Sequence, residues 1–159
     1  MPGTAASLVT LPIAFVLSET GILFYTVATI IVSVMAIPIC GRAAKVLGQS
    51  DPSCVVLDEV AGMLVSFLPF SYIHFRTPWD GEPVNGAFVL FVSFCFFRFF
   101  DIQKPGPIQK LQNIDGGLGI VADDLLAGLM AALATLVLML FSTVMSATVI
   151  SGVFNLSSY

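Results

Sequence analysis

GILFYTVATIIVSVMAIPIC, residues 21–40, contains no Asp, Glu, Lys, Arg or His, and Gly41, Arg42 and Lys45 close it. A helix rises about 1.5 Å per residue, so twenty such residues cross the roughly 30 Å of a bilayer's hydrocarbon. Three further runs repeat the pattern. Residues 54–73 are apolar apart from Asp58 and Glu59 near the start. Residues 85–100 are apolar until Arg98, and 124–150 form a last long run opened by Asp123 and Asp124. The chain is therefore expected to be an all-α, polytopic transmembrane helical bundle with about four spanning helices.

Composition agrees with this reading. The 159 residues are 57% hydrophobic and only 10% charged, against roughly a quarter charged in soluble domains. Mean hydropathy is +0.99. Four spans and their short loops use up the length, so residues 1–159 are expected to form a single membrane-embedded domain. The N-terminal segment from Ala5 to Leu17 carries Pro12 and is too short to cross as a helix. It is expected to be a re-entrant or interfacial segment, and with no basic region before it, it does not read as a signal peptide.

Six Lys and Arg stand against ten Asp and Glu, giving a formal net charge of -4 with no run of like charge; no nucleic acid is expected as a partner. Cys40, Cys54 and Cys95 are odd in number and lack C-x-x-C spacing. They imply neither a disulfide framework nor a zinc site, and read as inert, buried thiols. Lys and Arg number two in residues 41–53, one in 74–84 and two in 101–122, so the positive-inside rule puts the first and third loops in the cytoplasm. Asp51, Asp58, Glu59, Arg98, Asp101, Lys104, Asp115, Asp123 and Asp124 then share one membrane face.

Ionised groups are costly in hydrocarbon, and acids gathered at helix ends read as a site. Adjacent acids on a helix point about 100° apart. One member of Asp58–Glu59 and one of Asp123–Asp124 is therefore expected to coordinate, while the other supports it or binds a second ion. Hard oxygen ligands from several helix ends suit Mg²⁺, with calcium and manganese as alternatives. Arg98 and Asp101 stand at i, i+3, with Lys104 three residues on, before the helix-breaking Pro105. They read either as a structural ion pair or as an anion clamp, Arg as a planar fork and Lys as a point charge. Asp115-Gly116-Gly117-Leu118-Gly119 is either a flexible turn or a backbone cradle for phosphate. Gly62 and Gly128, each four residues after an acid, read as close helix-packing positions.

Several chemistries are excluded. The only histidine, His74, is expected in the loop on the opposite side, which removes a paired-histidine phosphatase. There is no C-x-x-x-x-x-R, D-x-D, G-x-S-x-G or P-loop motif. Metal-assisted chemistry remains, with water as nucleophile and a carboxylate as general base.

Four blocks carry a resemblance. They are Pro2-Gly3-Thr4 with Ser7-Leu8; Asp51-Pro52 with Asp58-Glu59-x-x-Gly62; Phe97-Arg98-x-x-Asp101-x-x-Lys104-Pro105-x-Pro107-Ile108; and Gly116-Gly117-x-Gly119-Ile120-x-x-Asp123-Asp124-x-x-Ala127-Gly128. Together they resemble the phosphatidylglycerophosphatase A family of bacterial membrane enzymes, and they run over most of the chain. The resemblance implies a Mg²⁺-dependent phosphomonoesterase of the cytoplasmic membrane. Such an enzyme converts phosphatidylglycerophosphate to phosphatidylglycerol at a site facing the cytoplasm. It also implies a shortened N-terminus, because family members usually carry more chain before Pro2, and Ala6 stands where they commonly have glycine.

On these grounds Asp58, Glu59, Asp123 and Asp124 are expected to bind Mg²⁺, and Asp58, Asp101 and Asp124 to be catalytic, Asp101 as a further ligand or general base. Arg98 and Lys104 are expected to hold the phosphate, with hydrogen bonds from Thr4 and Ser7. The rival reading is a small ion transporter or magnesium-binding membrane protein, with a structural subunit behind it. A transporter should place polar groups through the bilayer depth, yet residues 63–71 and 129–141 carry none that is ionisable.

Overall fold

A computed structural model of the chain describes residues 2–49, 55–76, 86–111 and 114–156, with side chains omitted at 72–76, 86–87, 107, 110 and 146–156. Asp51, Cys54, Trp79, Asp80, Glu82 and the side chain of His74 lie outside the described residues. All regular structure among the described residues is helical: α1 (Pro2–Ser18), α2 (Ile22–Leu47), α3 (Leu57–Arg76), α4 (Gly86–Gln103), α5 (Gly106–Leu111) and α6 (Gly117–Leu156). Two stretches, Ile22–Leu47 and Gly117–Met145, are long and apolar enough to cross a membrane.

α1 and much of α2 bury small side chains and expose large apolar ones. On α1 the buried residues are Gly3, Ser7, Thr10, Ala14 and Ser18, a stripe of small side chains at helical spacing. Leu8, Val9, Ile13, Phe15 and Val16 face outward. α2 buries Tyr25, Thr29, Ala36 and Cys40 and exposes Leu23, Phe24, Ile30, Ile31 and Val34. In hydrocarbon no hydrophobic force draws helices together, so small residues that allow close packing go inside, and the pattern on α1 and α2 is the one expected where large apolar side chains face lipid. The buried hydroxyls of α1 donate within their own helix, Ser7 to the Gly3 carbonyl at 3.0 Å and Thr10 to Ala6 at 2.8 Å.

α6 packs against α3, α4 and α2, and α1 against α3. Chain direction alternates. The starts of α1, α3 and α6 and the ends of α2 and α4 gather at one end of the bundle. An apolar cluster of Ala14, Tyr25, Phe67, Phe70, Val89 and Met139 fills the interior towards the other. The Tyr25 hydroxyl donates to the Leu64 carbonyl at 2.8 Å, tying α2 to α3 within this region.

Several boundaries differ from the sequence reading. The N-terminal segment expected to be re-entrant or interfacial is a continuous helix that runs alongside α3, from Gly3 against Glu59 to Ala14 in the apolar cluster. α2 does not stop at Gly41 but continues to Leu47, because Gly41 faces the backbone of Gly117 and packing replaces the missing side chain. α6 begins at Gly117, so Gly117 and Gly119 of the expected glycine-rich loop form a first helical turn. The loop after Asp101 holds the short helix α5, anchored by the fully buried Ile108. α3 extends to Arg76, which makes His74 helical. Of the thiols, Cys40 is buried as expected, but Cys95 is exposed on α4.

Candidate active site

Two glycines set the register. A Cβ on Gly62 would stand 2.6 Å from the Asp124 carbonyl oxygen and 2.6 Å from the Phe97 ring. One on Gly128 would collide with the Gly62 carbonyl. α3 and α6 therefore touch backbone to backbone, and the residues one turn earlier, Asp58 and Asp124, meet. Asp58, Glu59 and Asp124 each offer a carboxylate oxygen within 4.8 Å of the others, although Asp58 and Asp124 are only 5% exposed.

Asp58 and Glu59 both enter the group. The extra methylene of glutamate lets Glu59 reach round the helix. Its carboxylate lies over the Cα of Gly3, where any side chain on α1 would strike it. The second pair divides. Asp124 joins the cluster, whereas Asp123 accepts a hydrogen bond from Lys104 Nζ at 2.7 Å through Oδ2 and from the Asp124 backbone N–H at 3.1 Å through Oδ1. Asp101 interacts with Asp124 by hydrogen bond and charge, and pairs with Arg98, whose Nη1 is 2.6 Å from Asp101 Oδ2.

Among the described residues, five carboxylates thus stand against two cations. Like charges at this spacing repel strongly unless a cation or protons sit between them. Glu59 Oε2 and Arg98 Nε are buried without a hydrogen-bond partner, while Arg98 Nη1 is committed to the ion pair with Asp101. A buried carboxylate oxygen without a donor, beside two other carboxylates, suits a hard divalent cation. An idle guanidinium Nε–H suits an oxyanion.

Lys104 closes the site. α4 ends at Gln103, and Lys104 takes φ 41°, the one positive φ at a non-glycine among the described residues. Its N–H still reaches the Phe100 carbonyl at 2.9 Å. This left-handed residue ahead of Pro105 ends the helix and points the side chain at Asp123. Burial disfavours its charge, but the hydrogen bond and negative charge of Asp123, with Asp124 and Asp101 behind it, outweigh burial and raise its pKa.

Thr4 lies half-buried and Ser7 buried near the start of α1, the helix whose Gly3 meets Glu59. The Ser7 hydroxyl proton goes to the Gly3 carbonyl, which leaves its oxygen as an acceptor. The sequence reading gave Cys40 no part in the site, yet it is buried against Asp58, whose backbone N–H contacts the sulfur. Nothing in its spacing signalled this, because the contact joins α2 to α3 only in the folded bundle.

No solved structure matches the chain. A Bacteroides thetaiotaomicron protein, named provisionally as a phosphatidylinositol-3-phosphatase, is 32% identical over 133 residues, covering 80% of this chain and 76% of the relative. Proteins named phosphatidylglycerophosphatase A from Escherichia coli and Haemophilus influenzae are each 28% identical. Both cover 83% of this chain, with 70% and 75% of the respective relative. The model of the family described as phosphatidylglycerophosphatase A matches residues 1–139. That span takes in every residue of the carboxylate cluster with Arg98 and Lys104, and the chain belongs to the phosphatidylglycerophosphatase A family.

Proposed function

We propose that the protein is a lipid phosphatase that hydrolyses the terminal phosphomonoester of phosphatidylglycerophosphate to phosphatidylglycerol and inorganic phosphate, using Mg²⁺. The observation that carries this reading is the group of Asp58, Glu59 and Asp124 beside an arginine whose buried Nε–H has no partner. Family membership and the names of the Escherichia coli and Haemophilus influenzae relatives support the substrate. The whole chain acts as one domain in the bacterial cytoplasmic membrane. α2, α3, α4 and α6 cross it and α1 is packed within the bundle, with the site facing the cytoplasm as the distribution of Lys and Arg asks.

Asp58, Glu59 and Asp124 would hold Mg²⁺, which when bound would neutralise phosphoryl oxygens and acidify a water. Asp123, turned to Lys104, fixes that lysine and supports the cluster from outside the ligand group. Arg98 donates its idle Nε–H to the phosphate, and Lys104 adds a point charge as negative charge builds on the leaving oxygen. Asp101, held by Arg98 and in contact with Asp124, takes the proton of the attacking water. As the water oxygen bonds to phosphorus the P–O bond to glycerol breaks, and the alkoxide leaves as the alcohol by taking a proton from solvent, to which Asp101 returns its own. Thr4 supplies a further polar contact to phosphate from the start of α1, and Ser7 joins it only by turning its hydroxyl away from the Gly3 carbonyl.

Phosphate release from phosphatidylglycerophosphate by purified protein in detergent tests this reading. Release should require Mg²⁺, stop with chelator, and fall at least 10³-fold in Asp58→Asn while the protein remains folded. Undiminished turnover in chelator or in Asp58→Asn refutes the assignment. A second reading, a phosphoinositide phosphomonoester as substrate, draws on the name of the Bacteroides thetaiotaomicron relative. Assaying phosphatidylinositol 3-phosphate in parallel separates the two by kcat/KM.

A further inference from the structure

We infer that the cleft beside the carboxylate cluster receives the rest of the lipid headgroup, its glycerol and phosphodiester, and that Lys45 is the residue that recognises the phosphodiester. The inference rests on the phosphatase reading above.

The cleft has a volume of about 570 Å³ and lies between the last turns of α2 and the first turns of α6, lined by Lys45, Gly48, Asp115, Gly119 and Asp123 among others. This is the size of a small-ligand pocket. Asp123, the neighbour of Asp124 on α6, lines it and holds Lys104. A phosphate bound at Arg98 and Lys104 therefore has this space beside it for whatever it is attached to.

In phosphatidylglycerophosphate the attached group is a three-carbon unit bearing one hydroxyl and ending in a second, diester phosphate. The charged lining matches that order. Asp123 is already paired with Lys104. Asp115, exposed at the cleft, can accept from the glycerol hydroxyl. Lys45 is the one cation that lines the cleft among the described residues. It sits in the last turn of α2, where a long side chain reaches out of the hydrocarbon to the headgroup level. Phosphatidic acid carries its monoester directly on diacylglycerol and has no second phosphate to place there. Lys45 is thus a specificity residue that favours a headgroup with two phosphates.

The test compares phosphatidylglycerophosphate with phosphatidic acid in wild type, Lys45→Met, Lys45→Arg and Arg42→Met. Arg42 is exposed on the same helix but does not line the cleft, so its variant reads the general attraction of surface charge for anionic lipid. Lys45→Met should raise KM for phosphatidylglycerophosphate about tenfold, the size of one charge-assisted contact. Its kcat should change little, and the preference over phosphatidic acid should fall by the same factor. Lys45→Arg should recover most of the loss, and Arg42→Met should keep the preference. An unchanged KM in Lys45→Met, or equal losses in Lys45→Met and Arg42→Met, overturns the inference. Binding of phosphatidylglycerophosphate in chelator, without turnover, gives an independent reading: about tenfold weaker binding by Lys45→Met supports the cleft, and equal binding overturns it. A wild type that binds in this Lys45-dependent way yet hydrolyses neither lipid would sink the phosphatase reading and leave the cleft assignment standing.

Discussion

Replacing Gly62 by alanine probes the link between helix packing and chemistry at one atom. The new Cβ would lie 2.6 Å from the Asp124 carbonyl oxygen, where ordinary contacts begin at 3.4 Å, so about 0.8 Å must be found. The Phe97 ring, also 2.6 Å away, can swing aside. The Asp124 carbonyl belongs to α6 and cannot, so α3 and α6 must part by most of that distance at the turn that carries Asp124. Overpacking of this kind costs about 1–3 kcal/mol. A misplacement near 1 Å at reacting groups costs up to about 10²-fold in rate. Gly62→Ala should therefore lose roughly 10- to 100-fold in kcat and require more Mg²⁺ for half-maximal rate, while remaining folded. The assays are phosphate release against Mg²⁺ concentration and thermal unfolding in detergent. Gly106→Ala is the control, since its Cβ would meet nothing within 4 Å. Wild-type kcat and Mg²⁺ dependence in Gly62→Ala would refute the argument that this crossing sets the carboxylate geometry.

Lys104→Met strands the buried Asp123 carboxylate without its cation, and should cost about 2 kcal/mol in unfolding besides most of the activity. Adding Asp123→Asn should restore most of the stability but not the rate, and a double variant as unstable as the single would refute the pairing. In detergent, with Cys54 first replaced by serine, maleimide should label Cys95 readily and leave Cys40 unmodified until the protein unfolds; mass spectrometry of labelled peptides reads both, and early labelling of Cys40 would contradict its burial against Asp58.

What the sequence by itself determined is the material that helix periodicity and solvent chemistry control. Apolar runs near twenty residues long can satisfy their backbone in hydrocarbon only as helices or closed barrels. Their flanking acids and bases marked one end of the bundle, and the blocks around Asp58, Arg98 and Asp123 carried the family. Helix ends were less legible. Gly41 and Gly117 read as breaks when taken alone, but each is helical because it faces the other's backbone, a contact local propensity does not contain. The small-residue stripe of α1 likewise became a buried face only against α3.

Only the packing of the helices shows which carboxylates cluster and which one meets a lysine. Asp58 and Glu59 enter one cluster, while Asp123 turns from Asp124 to meet Lys104. That choice follows from the height at which α3 crosses α6, set by the Gly62–Gly128 contact, and from the left-handed turn at Lys104 that aims one side chain. The cleft at Lys45 has the same origin, since α2 and α6 are far apart in the chain and enclose a space only where they pack. Helix formation is governed by neighbours within a turn, whereas a site is governed by the register between helices, and that register is fixed by close contacts between residues distant in sequence.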